Sequence, residues 1–411
     1  MLRILNATDS RARALVDRRA MRDPGLVRQV TAIVRAVERD RDRALLRYAR
    51  RLDGLDGPLE ISRDQMEQAA GTVPQDVRRA MATCARHIRR VARAQRPRSS
   101  IVRVAPGVTV EQRVVPLGRV GCYVPGGRYP LPSTLLMTAI PARMAGVGEV
   151  IAVCPRPDAV IMAAAIEAGV TRLFQAGGAH AIAAMAYGTE TVPPVDKIVG
   201  PGNRYVTAAK ALVAADCPID FEAGPTELVW ISDHARPDWI ALDLIAQAEH
   251  DPDARAFFVT TSRPLAQAVA RAIATLAPAT GPAATALARN GAAIVVSTLD
   301  QAIDLVNRIA PEHLATDDDT IVTRMPAAGT VFVGRFAAPA AGDYVTGSNH
   351  VLPTAGAARV RGGLSVADFV RTVSVQRLSR AGIREVGPAA IAMARVEGLA
   401  GHAASIAARL T

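Results

Sequence analysis

The sequence predicts an α/β protein made of two doubly wound, Rossmann-like domains with small helical segments at its N- and C-terminal ends. Three observations predict it. Between residues 123 and 225 short apolar strands alternate with helical stretches of ten to fifteen residues, the pattern of right-handed βαβ units on a parallel sheet. A second series of the same kind runs from Leu228 to Arg308. Glycine-rich turns follow several strands, at the ends where such sheets carry their ligands.

Taken in order, Leu15, Val27, Val30, Ile33, Val34, Val37, Leu45 and Leu46 recur at three- and four-residue spacings among charges between Asp9 and Arg51. That spacing predicts amphipathic helix, interrupted near Pro24. A helix over residues 75–95 starts after Pro74 and stops before Pro97, as the restriction on residues preceding proline favours. Residues 101–104 and 108–115 change to an extended period, and a strand with Gly118 and Gly121 leads into Tyr123-Val124-Pro125-Gly126-Gly127. Helices follow at 133–145, near 162–168, up to Ala186 and up to Ala214, alternating with strands at 150–153, 172–174 and 197–199. The second series places strands at 228–231, 256–260 and 293–296, and helices at 238–249, 264–276 and 299–308. Residues 380–411 read as a separate helical tail.

Composition narrows the function classes. Half of the 411 residues are hydrophobic and about a fifth are charged, enough for an ordinary buried core. The net charge of +11 is confined to the first 100 residues, where 23 arginines face 12 acidic groups; beyond them the two signs balance. Clustered arginine on a helical face with few aromatics reads as a solvated surface, so no nucleic-acid partner is expected. No apolar stretch approaches the roughly 20 residues of a membrane span, and the N-terminus lacks a secretion signal. Cys84, Cys122, Cys154 and Cys217 lie far apart without a paired spacing. Reduced thiols and a cytoplasmic setting are the expectation.

Two glycine turns, Gly177-Gly178 and Gly200-Pro201-Gly202-Asn203, each follow a strand and precede a helix, where backbone N–H groups can meet a phosphate. Neither is the GxGxxG fingerprint of a standard dinucleotide site. Histidine placement is sharper. Gln247 and His250 stand three apart at the end of a helix, a spacing that suits two ligands to one metal ion or a polar helix end. Glu312 and His313, behind Pro311 in a loop, are adjacent acid and base groups that suit two proton transfers, or incidental loop charges. Asp343 is a hard oxygen donor or a turn former. His350 sits in an Asn-His pair, and His402, close behind Glu397, needs a docked tail to serve any site.

Read in order, these segments resemble the histidinol dehydrogenases. The likeness is carried by Tyr123–Gly127, Pro132–Met137, Tyr187–Thr191 with Val199–Asn203, Ala223–Pro225, Gln247–His250, Ala310–Leu314, Gly342–Tyr344 with Asn349–Thr354, and Glu397–Leu399 with His402. It implies a homodimeric, zinc-dependent enzyme that uses two NAD molecules in turn to oxidise histidinol through the aldehyde to histidine. On that resemblance Gln247, His250, Asp343 and His402 hold zinc, His402 coming from the partner's tail, so that active sites are shared. Glu312 and His313 are the catalytic pair. The substrate contacts fall on Thr226, His350 and Glu397 together with the zinc ligands and His313. Tyr123, His180 and Asn203 face NAD.

Two positions depart from the family's pattern, threonine for serine at Thr226 and glutamine replaced at His180. The methyl of Thr226 leaves open a relative that oxidises another small amino alcohol or a sulfonated diol with the same zinc and NAD chemistry. The resemblance also implies a division into residues 1–19 plus 366–378 as a small helical segment, 20–122 plus 226–365 as the catalytic α/β domain, 123–225 as the NAD-binding domain, and 379–411 as the tail.

Overall fold

A computed structural model describes residues 2–17, 23–126, 129–222, 224–324 and 327–411. Gly127 of the first glycine turn and Ala223 of the Ala223–Pro225 segment therefore lie outside the described residues. Along the chain the strands are β1 (Arg3–Asn6), β2 (Glu60–Ile61), β3 (Ser100–Ala105), β4 (Val108–Pro116), β5 (Arg119–Tyr123), β6 (Glu149–Val153) and β7 (Arg172–Phe174). They continue with β8 (Lys197–Val199), β9 (Glu227–Ile231), β10 (Arg255–Thr260), β11 (Ala292–Val295), β12 (His313–Thr316), β13 (Thr330–Val333) and β14 (Val370–Leu378).

Two sheets carry the α/β architecture. One has the order β1-β11-β10-β9-β12-β13, and all its strands are parallel. The other has the order β2-β7-β6-β5-β8, parallel except for the two-residue edge strand β2. In both, the chain builds outward from a central strand and then reverses, β9 beside β12 and β5 beside β8, which is the doubly wound arrangement. Helices Pro237–Ala248, Arg263–Leu276 and Pro282–Asn290 supply apolar residues to a core on one side of the six-stranded sheet, and Ser10–Val16 and Leu299–Ile309 to a core on the other.

The helix over Gln75–Gln95 and the strands of the βαβ series fall where the sequence places them, within a residue or two. The helices ahead of β3 pack against those of the five-stranded sheet. Helix Pro24–Tyr48 packs on Gly178–Tyr187 and Arg204–Val213, Arg63–Gly71 on Ala159–Ala168, and Gln75–Gln95 on Pro132–Ala145. Residues 24–95 thus pack around the five-stranded sheet, and Ile61 to Ala92 also share a core with Val351 and Leu364. Strand β5, fourth of the five, ends at Tyr123, where the expected NAD-binding domain begins. Periodicity states that a helix has an apolar face; it does not state which sheet that face covers.

Within the expected small helical segment, Ser10–Val16 and Val366–Phe369 are helical. Residues 3–6 form the edge of the six-stranded sheet beside β11, and 370–378 form a nine-residue strand antiparallel to β4, within a three-stranded sheet β14-β4-β3. The tail behind it consists of helices Arg380–Val396 and Ala400–Ala407, packed on each other, with the first also against β3 and β14. Among the described residues no helix is long and apolar enough to cross a membrane.

Candidate active site

The catalytic candidates meet at the amino edge of the six-stranded sheet, where β9 and β12 start side by side with His313 in register with Leu228. This corrects the loop expected around Glu312 and His313: His313 opens a buried parallel strand. Four residues, His-Leu-Ala-Thr, are too few to display a strand period. Glu312 is 7 % and His313 4 % exposed.

At this edge Thr226 donates its hydroxyl hydrogen to Glu312 Oε2 at 2.5 Å, and the Glu227 N–H donates to the same oxygen at 2.9 Å. The amide of Gln247 donates in turn to Thr226 Oγ1. His313 donates through Nδ1–H to the Glu227 carbonyl at 3.2 Å, which leaves Nε2 with its lone pair toward Asp343, 3.9 Å from Oδ1. His250 Nε2 lies 4.0 Å from the other oxygen of Asp343. Gln247, His250 and Asp343 therefore present an amide, an imidazole and a carboxylate to one region, an N/O donor set that suits zinc.

The helical spacing expected for Gln247 and His250 is corrected in detail. The helix ends at Ala248 and His250 lies beyond its C-cap, so a turn brings it beside Asp343. His350 donates from Nδ1–H to the Asp343 carbonyl at 2.9 Å, and its Nε2 stands 3.4 Å from Thr134 Oγ1. Thr134 belongs to helix Pro132–Ala145, which follows β5. The amino edge of one sheet thus faces the carboxyl edge of the other. Glu397 and His402 are exposed on the tail, and the single chain does not bring them to this cluster.

Burial governs the proton affinities. It pushes the Glu312 carboxyl up to about 8, although the bonds from Thr226 and the Glu227 N–H favour the charged form. Desolvation pushes His313 down from its ordinary value, against the pull of Asp343, and lowers His350 to about 4. Asp343 is raised by burial, opposed by His313 and His250. At neutral pH the site therefore holds a neutral, proton-accepting imidazole beside a carboxyl group that retains its proton.

The dinucleotide candidates line the carboxyl edge of the five-stranded sheet. Tyr123 ends β5, and its hydroxyl oxygen accepts the Gly178 N–H at 3.1 Å. His180, 1 % exposed, stacks on Tyr48 and shares a 2.8 Å bond from Nε2 to Asp53, whose same oxygen accepts the Gly177 N–H. The Gly177-Gly178 amides are consequently already bonded within the protein. Asn203 caps the helix Arg204–Val213 with its side-chain oxygen.

Gly200 adopts φ +115°, and a Cβ there would run into the Tyr123 carbonyl, so only glycine lets this turn cross the end of β5. Beneath it Lys210 donates to the Gly200 carbonyl and to Asp220, which accepts the Gly200 N–H at 2.7 Å. Asp53, Glu227, Thr134 and the Lys210–Asp220 pair were missing from the sequence-based candidates. Asp53, Glu227 and Thr134 meet their partners across 127, 85 and 216 positions, and Lys210 meets Asp220 across 10; Thr134 lay within the Pro132–Met137 segment without being singled out.

A family model for histidinol dehydrogenase matches residues 16–410. The histidinol dehydrogenase of Caulobacter vibrioides is 43 % identical over 97 % of this chain and 96 % of its own. That of Methanothermobacter thermautotrophicus is 40 % identical over 100 % and 99 %. The crystal structure of histidinol dehydrogenase from Elizabethkingia anophelis superposes with a TM-score of 0.94 at 32 % identity, covering 100 % of this chain and 98 % of that one.

Proposed function

The chain belongs to the histidinol dehydrogenase family, and from that premise we propose that it oxidises histidinol through the aldehyde to histidine, in histidine biosynthesis, with zinc at the site and NAD as oxidant. The supporting observation is the pairing of a neutral His313, its Nε2 lone pair free, with a separately held Glu312 at one edge. Relatives named for histidinol match along nearly the whole chain, which does not favour the other small alcohols or diols.

Gln247, His250 and Asp343 would hold the zinc with His402 of a partner's tail, four N/O ligands in all. Bound there, zinc supplies an orienting charge for the substrate's nitrogen atoms. His313 accepts the hydroxyl proton at Nε2 as hydride leaves the carbinol carbon for the first NAD, giving aldehyde, NADH and a proton. Glu312, in its ionised form, then takes a proton from water as its oxygen adds to the aldehyde. Loss of a second hydride from the hydrate to a second NAD gives the carboxylate. Thr226 and the Glu227 N–H hold Glu312 in place during both steps. His350 and Glu397 are the further substrate contacts.

Tyr123, His180 and Asn203 surround the proposed NAD position, and His180 Nδ1 is buried without a partner among the described residues, a polar atom left for a ligand. We further read the enzyme as a cytoplasmic homodimer: its four cysteines are free, and Glu397 and His402, exposed on the tail, would complete the site of a second copy. The test is NAD reduction on a panel of amino alcohols and diols with the acid product identified. Histidine formed from histidinol with the highest kcat/KM is expected; a diol turned over while histidinol is not would overturn the reading.

A further inference from the structure

The six-stranded sheet has the strand order of a nucleotide-binding fold, yet its catalytic residues occupy the amino edge. The usual ligand crevice of such sheets lies at the opposite edge, outside the carboxyl ends at the reversal of strand order. Here that reversal falls between β9 and β12. A cavity of about 580 Å³ opens there, lined in part by Trp230 of β9, by Asp317 just beyond β12, and by the connection behind β13. This volume suits a small organic ligand.

Its walls are chemically specific. Trp239 and Phe336 face each other with ring centroids 6.0 Å apart and planes tilted by 47°. Phe336 is 80 % exposed, so the folding of this chain does not account for it. Arg236 lies over the Trp239 ring and is paired with Asp238. Arg335 stacks at 4.9 Å on Phe336 and 6.0 Å on Trp239, and it makes no ion pair among the described residues. Deeper in, Asp243 accepts the Trp230 indole N–H at 2.9 Å. Burial pushes this carboxyl up to about 6.

We propose that this cavity is a second ligand site, separate from the catalytic cleft, which takes an adenosine phosphate. The base stacks on the exposed ring of Phe336 beside Trp239, its amino group donates to Asp243, and its phosphate meets the unpaired guanidinium of Arg335. An aromatic cleft beside one uncommitted arginine selects a planar ring bearing an anion. Both AMP and the adenylate half of NAD carry this chemistry.

The chain supplies its own reporter, because Trp230 and Trp239 are its only two tryptophans and both line the cavity. Titrating AMP, NAD, adenosine and inorganic phosphate separately into the full chain, with tryptophan fluorescence as readout, is the test. Saturable quenching by AMP is expected, with adenosine and phosphate each weaker. Response to AMP but not NAD identifies a free mononucleotide as ligand; equal response identifies the shared adenylate. Arg335→Ala, at a surface position, should weaken AMP about tenfold or more, as loss of a charge-assisted bond predicts. Phe336→Ala should weaken it too, whereas Asn203→Ala at the other sheet should leave it unchanged. No saturable response to AMP, an undiminished response in Arg335→Ala, or a signal that follows protein concentration in place of AMP would overturn the proposal.

Discussion

At Glu312, burial and hydrogen bonding oppose one another, and burial wins. The carboxyl keeps its proton up to about pH 8, so its base form accumulates only above that value. Aldehyde oxidation should therefore rise with pH and level off above about 8, and Glu312→Gln should remove that limb while impairing the alcohol half-reaction less. Separate assays from alcohol and from aldehyde read this directly. The same shift bears on stability. An unfolded chain releases this proton near pH 4.3, so between roughly 4.3 and 8 it binds fewer protons than the native protein, and metal-free stability falls as pH rises. Urea midpoints should show that slope, and Glu312→Gln should flatten it. A different balance holds at Lys210, 2 % exposed against Asp220 at 5 %. Lys210→Met would strand a buried carboxylate and cost about 3–5 kcal/mol, measurable by urea unfolding and offset in part when Asp220→Asn is added.

Short buried elements were the least legible. The βαβ series from 149 to 213 declared itself because apolar runs, glycine turns and helical periods alternate without interruption. In contrast, β12 has only four residues, and the role of Glu312 and His313 depends on its placement beside β9, which no local pattern encodes. Strand β14 did show a readable alternation, Val373 and Val375 between polar neighbours, and a period-two count would have found it. Candidate side chains were legible as types, but the amide, imidazole and carboxylate each kept a plain alternative as a helix end or turn, and only the family resemblance joined them into one zinc site. Their partners were not legible, for Asp53 reaches His180 across 127 positions. The Gly200 turn offers an element-level test. Gly200→Ala forces a Cβ against the Tyr123 carbonyl at positive φ, a strain of at least about 1–3 kcal/mol, so the melting temperature should fall and the KM for NAD should rise. An unchanged KM would place the dinucleotide elsewhere.

For the whole molecule, the decisive fact is that Glu397 and His402 ride on a tail packed against the three-stranded sheet, while the other proposed site residues sit at the amino edge of β9 and β12. If the tail completes a partner's site, a subunit lacking residues 398–411 mixed with one bearing His250→Ala regains part of its activity, because one of the two sites in the hybrid then has an intact body and an intact tail. Each parent alone stays inactive and binds zinc weakly. Hybrids confirmed by mass that remain inactive would refute the shared site. The opposed sheet edges carry one more consequence. Helices of a doubly wound unit run antiparallel to their strands, so the wall bearing Gln247 is built from helix C-termini, and the wall bearing Thr134 and Asn203 from helix N-termini. Peptide dipoles make the first wall negative and the second positive. The cleft resembles a charged capacitor, with a fixed polarity that would draw the proposed divalent cation to one plate and the proposed dinucleotide's pyrophosphate to the other before any side chain touches either.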